Sequence, residues 1–188
     1  MQDYKAVVIG GSAGSFQVVV KILQSLPKNF NYPVFLCLHR LKHVRSGFVE
    51  ALSIKSNIPV IEPYDKSHIK SGIAYLAPSN YHMYVELATS ISLSTEEPVN
   101  HSRPSIDLTY FSTAQAYRHR LVGIVLSGAN RDGALGMKKI ADLGGLTIVQ
   151  DPDECEVRTM TQGTLDVTKV DHVMKTDQII QFLKSINK

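Results

Sequence analysis

Along the chain, short continuous apolar runs alternate with stretches whose apolar residues recur at helical spacing. Residues 5–9 form a β-branched run closed by glycine, which predicts a buried strand. From Phe16 the period changes: Val19, Ile22, Leu23 and Leu26 share one helical face before Pro27 ends it. Residues 33–38 predict a second buried strand that stops at His39, and residues 46–53 a helix with Phe48, Val49 and Leu52 inward. Residues 58–61 read as a third strand. Residues 73–77 and 82–87 flank Pro78-Ser79-Asn80, a turn signature, and predict a hairpin to which residues 91–93 add a strand. Pro104 opens a helix carrying Ile106, Tyr110, Ala114 and Tyr117 on one face. Residues 121–126 form a strong strand, followed by a helix over 134–143 that Gly144-Gly145 stops. A strand over 146–150 and helices near 159–164 and 177–186 complete the pattern. The alternation implies a mostly parallel α/β sheet with helices on both faces and an inserted antiparallel hairpin.

Composition narrows the function classes. The 188 residues are 44% apolar and 20% charged, ordinary for one globular domain spanning 1–188. A net charge of +3 without a basic run gives no case for nucleic acid. Cys37 and Cys155 are the only cysteines, which excludes a disulfide framework or a CxxC metal knuckle. No H-x-H or H-E-x-x-H motif occurs, so neither metal nor cofactor is expected. The first strand begins a few residues after Met1 and no apolar run reaches membrane-spanning length, so a cytoplasmic protein without membrane insertion is expected.

Candidate chemistry lies where three predicted strands end. Ser12 follows the first, His39 the second, and Asp132 lies in the loop after residues 121–126. Parallel strands bring their carboxyl ends to one edge, where open α/β sheets bind ligands. Serine, histidine and an acid are the set needed for acyl transfer: nucleophile, general base and a carboxylate that orients the base. Each has a plainer role open to it. Ser12 is a possible helix cap, His39 a strand end among seven histidines, and Asp132 a turn or N-cap residue. The glycine turn is neither a dinucleotide fingerprint nor a Walker motif, since Ser12 occupies the second-glycine position and no Gly-Lys-Ser/Thr follows.

Three segments, Ile9-Gly10-Gly11-Ser12-Ala13-Gly14, the strand ending at His39, and residues 126–137 around Asp132, resemble the catalytic domain of CheB-type chemotaxis protein-glutamate methylesterases. Residues 74–83 and 103–107 resemble two further motifs of that family, in the same order. The resemblance spans about Ala6 to Val173. It implies a doubly wound parallel sheet, Ser12 as nucleophile, His39 as base and Asp132 as orienting acid. It also implies a protein substrate, the methylated glutamyl side chains of chemoreceptor-like signalling helices, with deamidation of certain glutamines and no cofactor. Backbone N–H groups of Ala13 and Ala129 are the expected oxyanion donors, Ala129 standing where the family has methionine. A fused receiver domain, usual in the family, is not expected. Two other functions fit the same residues: a non-catalytic module binding a receptor helix, and a small-molecule carboxylesterase. Arg40 and Arg131 flank the proposed base and acid. They are expected to place two cationic groups at the mouth, suited to an acidic helix.

Overall fold

The structure, a computed structural model, describes residues 3–40 and 47–187. Its main sheet has seven parallel strands in the order β10-β9-β8-β1-β2-β5-β3. These are β1 (Ala6–Gly11), β2 (Val34–Leu38), β3 (Val60–Ile61), β5 (Ala74–Leu76), β8 (Leu121–Val125), β9 (Leu146–Gln150) and β10 (His172–Met174). A second sheet holds β4 (Ser67–His68), β7 (Ser90–Ser94) and β6 (His82–Glu86), all antiparallel. The helices are α1 (Phe16–Ser25), α2 (Phe48–Lys55), α3 (Ile106–Tyr117), α4 (Ala134–Asp142), α5 (Thr159–Val167) and α6 (Thr176–Ile186).

Alternation along β1 shows why both faces are covered. Val7 and Ile9 point into a core formed with Val19, Ile22 and Leu23 of α1 and Ile179 and Leu183 of α6. Ala6 and Val8 point the other way, toward Ile106 and Tyr110 of α3, Met137 and Ile140 of α4, and Met83 and Ile91 of the small sheet. Because both sides of β1 are buried, its sequence reads as a continuous apolar run. Chain order reverses at β1, with β2 on one side and β8 on the other. The crevice between the carboxyl ends of β1 and β8 is therefore the topological switch point.

Several expectations change. Residues 73–77 and 82–87 do not pair. β5 is an inner strand of the main sheet, and the hairpin is β6–β7, with Tyr84 opposite Ser92. Pro78-Ser79-Asn80 thus joins two sheets, and a turn signature does not say which strand its neighbour will pair with. β1 also runs two residues further than its apolar run, through Gly10 and Gly11. A Cβ on Gly10 would stand 2.5 Å from Ile106 Cγ2 and 2.6 Å from the Tyr110 hydroxyl. Glycine here admits α3 against the sheet rather than ending the strand. β4 and β10 are short strands outside the predicted set. The helix expected over 46–53 is found as Phe48–Lys55, while Ser46 and His43 lie outside the described residues.

Candidate active site

A ladder of backbone hydrogen bonds aligns three strand ends. The Ser12 N–H donates to the Ser127 carbonyl at 2.9 Å, and the His39 N–H donates to the Gly11 carbonyl at 3.0 Å. Ser12 and His39 thus occupy matching positions one step beyond β1 and β2, with Gly11 in register with Leu38. The turn after Ser12 holds Gly14 at φ +80, in the left-handed region. A Cβ there would stand 2.5 Å from Glu156 Cβ and 2.7 Å from Ser127 Oγ. Ser127 Oγ donates to the Ala13 carbonyl at 2.7 Å and accepts the Val157 N–H at 3.0 Å, so the turn is pinned from behind.

Ser12 does not cap α1. Ser15 is the N-cap, and both its N–H and its hydroxyl donate to the Ser12 carbonyl, at 3.0 and 2.7 Å. Among the described residues, the Ser12 hydroxyl forms no hydrogen bond, and the N–H groups of Ala13 and Ala129 donate to no backbone carbonyl. Ala13 and Ala129 are exposed at the tips of the first and eighth strand-end loops, while Ser12 is half-buried.

Asp132 is held more tightly than any other group in the site. Its carboxylate is fully buried, and the N-terminus of α3 is aimed at it. Oδ2 accepts the Ile106 N–H at 2.7 Å and meets His39 Nε2 at 2.8 Å. Oδ1 accepts from Ser105 Oγ at 3.0 Å, the Asp107 N–H at 3.1 Å and Asn100 Nδ2 at 3.1 Å. Burial pushes this carboxyl up, but the His39 hydrogen bond and the Ile106 and Asp107 N–H groups outweigh it and hold it below the ordinary aspartate value. An ionised carboxylate only accepts, so Nε2 of His39 is the donor to Asp132, and in the neutral ring Nδ1 carries the lone pair. The helix end of α3 also favours the negative charge. Asp132 therefore caps nothing in its own helix: the N-cap of α4 is Gly133.

Three polar residues of this frame have no role assigned from sequence. Ser105 is the N-cap of α3, accepting the Leu108 N–H. Asp107, 3% exposed, accepts the Gly133 and Gly136 N–H groups on Oδ1, at 2.9 and 2.7 Å, and Asn100 Nδ2 on Oδ2 at 3.0 Å. Burial, with the Asp132 charge adding to it, raises the Asp107 carboxyl to about 6 despite those donors. Asn100 and His101 are the left-handed corner of a tight turn closed between Val99 and Ser102. His101 lines a cleft of about 100 Å³ together with His39, Arg40 and Arg103. The N-cap serine and the acid in the first helical turn were visible signals for a helix start; what that start would hold was not.

The two arginines behave differently from the expectation of paired mouth charges. The Arg40 side chain is 3% exposed, ion-paired with Glu62 through Nη2, which also donates to the Ala77 carbonyl at 2.9 Å. Its guanidinium lies 5.0 Å from the centroid of the Phe48 ring. Arg40 therefore braces the ends of β2, β3 and β5 and offers no free charge at the mouth. Arg131 is 63% exposed, pairs with Asp166, and lays its stem on Gly163 of α5, beside a cavity of about 420 Å³. Of the other described histidines, His82 is buried between Ser105 N–H and the Glu97 carbonyl, at 3.2 and 3.0 Å. No group of three or more potential metal ligands occurs among the described residues, and none of their helices is long and apolar enough to cross a membrane.

Comparison with known proteins gives a consistent picture. The family model described as CheB methylesterase matches residues 7–183. A Leptospira interrogans protein, provisionally named for methylesterase and glutaminase activity, is 39% identical over 179 residues, covering 95% of this chain and 93% of that one. An Archaeoglobus fulgidus protein named protein-glutamate methylesterase/protein-glutamine glutaminase is 36% identical, covering 95% of this chain but 53% of its own length. The crystal structure of the Thermotoga maritima CheB methylesterase catalytic domain superposes with a TM-score of 0.91 at 27% identity, over 97% of this chain and 98% of that one.

Proposed function

The chain belongs to the CheB methylesterase family, and on that footing we propose that it is a serine hydrolase removing γ-glutamyl methyl esters from chemoreceptor-like signalling helices. Residues 1–188 are read as one catalytic domain, acting in the cytoplasm without cofactor. The observation that carries the reading is the Asp132–His39 pair, with the unbonded Ser12 hydroxyl one ladder step away.

In this reading Ser12 Oγ attacks the ester carbonyl as His39 Nδ1 takes its proton. Asp132 stays ionised on Nε2–H and stabilises the imidazolium. The oxyanion of the tetrahedral intermediate is received by the Ala13 and Ala129 N–H groups, free donors at two of the loops around the serine. Collapse breaks the ester C–O bond, and Nδ1–H protonates the departing methoxide to methanol. Water then attacks the glutamyl–Ser12 ester, His39 takes its proton, and glutamate leaves as Ser12 regains a hydrogen. A glutamine side chain enters the same sequence with ammonia as the leaving group. Arg131 stands on the rim as the remaining candidate for attracting an acidic helix surface.

The test is methanol release from a methyl-labelled receptor fragment, wild type against Ser12→Ala. Release by the wild type alone supports the reading. A wild type that binds the fragment without releasing methanol would favour a non-catalytic module, and release from small esters only would favour a small-molecule carboxylesterase.

A further inference from the structure

Two buried carboxylates, Asp132 and Asp107, sit side by side, and one side-chain amide serves both. Asn100 Nδ2 donates to Asp132 Oδ1 at 3.1 Å and to Asp107 Oδ2 at 3.0 Å. Asp107 simultaneously fixes the start of α4 through the Gly133 and Gly136 N–H groups, immediately after the catalytic loop. Its own N–H completes the cradle of Asp132. We propose that Asp107 is a positioning residue for the reaction, acting with Asn100 to hold the Asp132 carboxylate and the Asn100–His101 turn in place against His39. The proposal rests on the methylesterase reading for its kinetic consequence, though not for its structural one.

Two features make this more than packing. Like charges placed this close repel, and the Asn100 amide is the group between them that offers both a hydrogen. Asn100 and His101 hold φ values of +51 and +60, which asparagine tolerates and most residues do not. The turn therefore depends on its side-chain anchors, and through His101 it reaches the cleft that His39 lines.

The frame is also sensitive to protons. Asp107 Oδ1 is occupied by two N–H groups, so a proton entering the carboxyl goes to Oδ2, where it meets the Asn100 donor and breaks the bridge. Asp107 takes that proton near pH 6. Asp132 faces it across the amide, and His101 and Arg131 line the same cavity. Cys37 of β2 and Tyr110 of α3 also lie within electrostatic reach, but burial pushes both groups up and keeps them neutral.

Two variants separate this role from simple stabilisation. Asp107→Asn keeps an oxygen for Gly133 and Gly136 but turns a donor against Asn100. Asn100→Ala removes the bridge from the other side and leaves the α4 contacts intact. Misplacing a reacting group costs up to about a hundredfold, so kcat should fall on the order of tenfold in each. The acid limb of log kcat against pH should be steeper than one proton in wild type and of unit slope in both variants. The Asn100 side-chain NH2 signals, read by NMR without substrate, should move in wild type with a midpoint of about 6 and stay still in Asp107→Asn. Variants with wild-type kcat and acid limb overturn the proposal, as does an Asn100 amide that does not titrate. If the wild type itself releases no methanol, the methylesterase reading fails and the amide titration alone decides this one. Should Asp107→Asn not fold, Asn100→Ala carries the kinetic test.

Discussion

Asp132 receives His39 Nε2 at 2.8 Å on the same oxygen that accepts the Ile106 N–H at 2.7 Å, so one carboxylate oxygen joins the His39 ring to the first turn of a helix. The imidazole is thereby oriented by a group that cannot rotate, since five donors converge on the two oxygens.

Ser12→Ala should lower ester turnover by on the order of 10⁴-fold or more while leaving the thermal midpoint within a degree or two, an order-of-magnitude expectation from other serine hydrolases. The hydroxyl forms no hydrogen bond among the described residues and Ser12 is not at the N-cap position of α1, so little stability is at stake. Parallel unfolding and methanol-release measurements check it. Retained turnover would remove Ser12 from the nucleophile's role.

Turnover should rise with pH and then level, because His39 accepts the serine proton only when neutral. His39→Gln should lose most activity together with that dependence. A His39→Gln enzyme with comparable activity and the same profile would shift the base to His101, the other histidine at the cleft.

Asp107 and Asp132 should act on stability with opposite signs. Asp132 has its carboxyl lowered, so its stabilisation is present above the unfolded aspartate value and is lost as pH falls through its folded value. Asp107 is raised to about 6, so its charge costs stability progressively from roughly pH 4 upward, the unfolded value, and fully above about 6. Thermal midpoints of Asp107→Asn relative to wild type should therefore improve between pH 4 and pH 7. A constant difference across that range would contradict the shift.

The two arginines should separate cleanly. Arg40→Gln strands the half-buried Glu62 and loses the Ala77 contact, which should cost about 1–3 kcal/mol. Arg131→Gln breaks an exposed pair with Asp166 worth about 0–1 kcal/mol, and should instead raise KM for a protein substrate and flatten its salt dependence. Urea unfolding and KM at two ionic strengths distinguish them. An Arg40→Gln protein of unchanged stability would mean that its brace contributes nothing.

Gly14→Ala should destabilise by about 1–3 kcal/mol, combining the left-handed backbone with a clash at Glu156 and Ser127. Activity should fall as well, because the same turn carries Ser12. Chemical denaturation measures the first and methanol release the second; an unaffected variant would show that the Glu156 segment moves aside freely.

That Ser12, His39 and Asp132 lie at one sheet edge was legible because Ser12 and His39 follow apolar runs directly and Asp132 lies in the loop after a third, and the end of such a run fixes which sheet edge it reaches. The fold class followed from the alternation of periods. Pairing did not: the run over 73–77 fits an inner parallel strand as well as a hairpin arm, and only the helices packed around it decide. Gly10 and Gly11 looked like a strand terminus because the absence of a side chain says nothing of what fills the space. Arg40 looked like a surface cation because its partner, Glu62, lies 22 residues away on another loop. Asp107 and Asn100 stayed without a role for a similar reason. Their function depends on the landing point of the α3 start, which is a property of packing and not of local sequence.

The order in which the site's parts occur along the chain has a consequence for biosynthesis. In the proposed reading, nucleophile and base lie at residues 12 and 39, while the acid that orients the base comes 93 residues after it and is cradled by a helix start that is itself fastened to Gly136. A nascent or truncated polypeptide ending before Asp132 holds Ser12 and His39 without the carboxylate that meets the His39 ring. On the proposed reading, hydrolytic competence requires the chain as far as Asp132, and a polypeptide that stops short of it is expected to be inert toward esters.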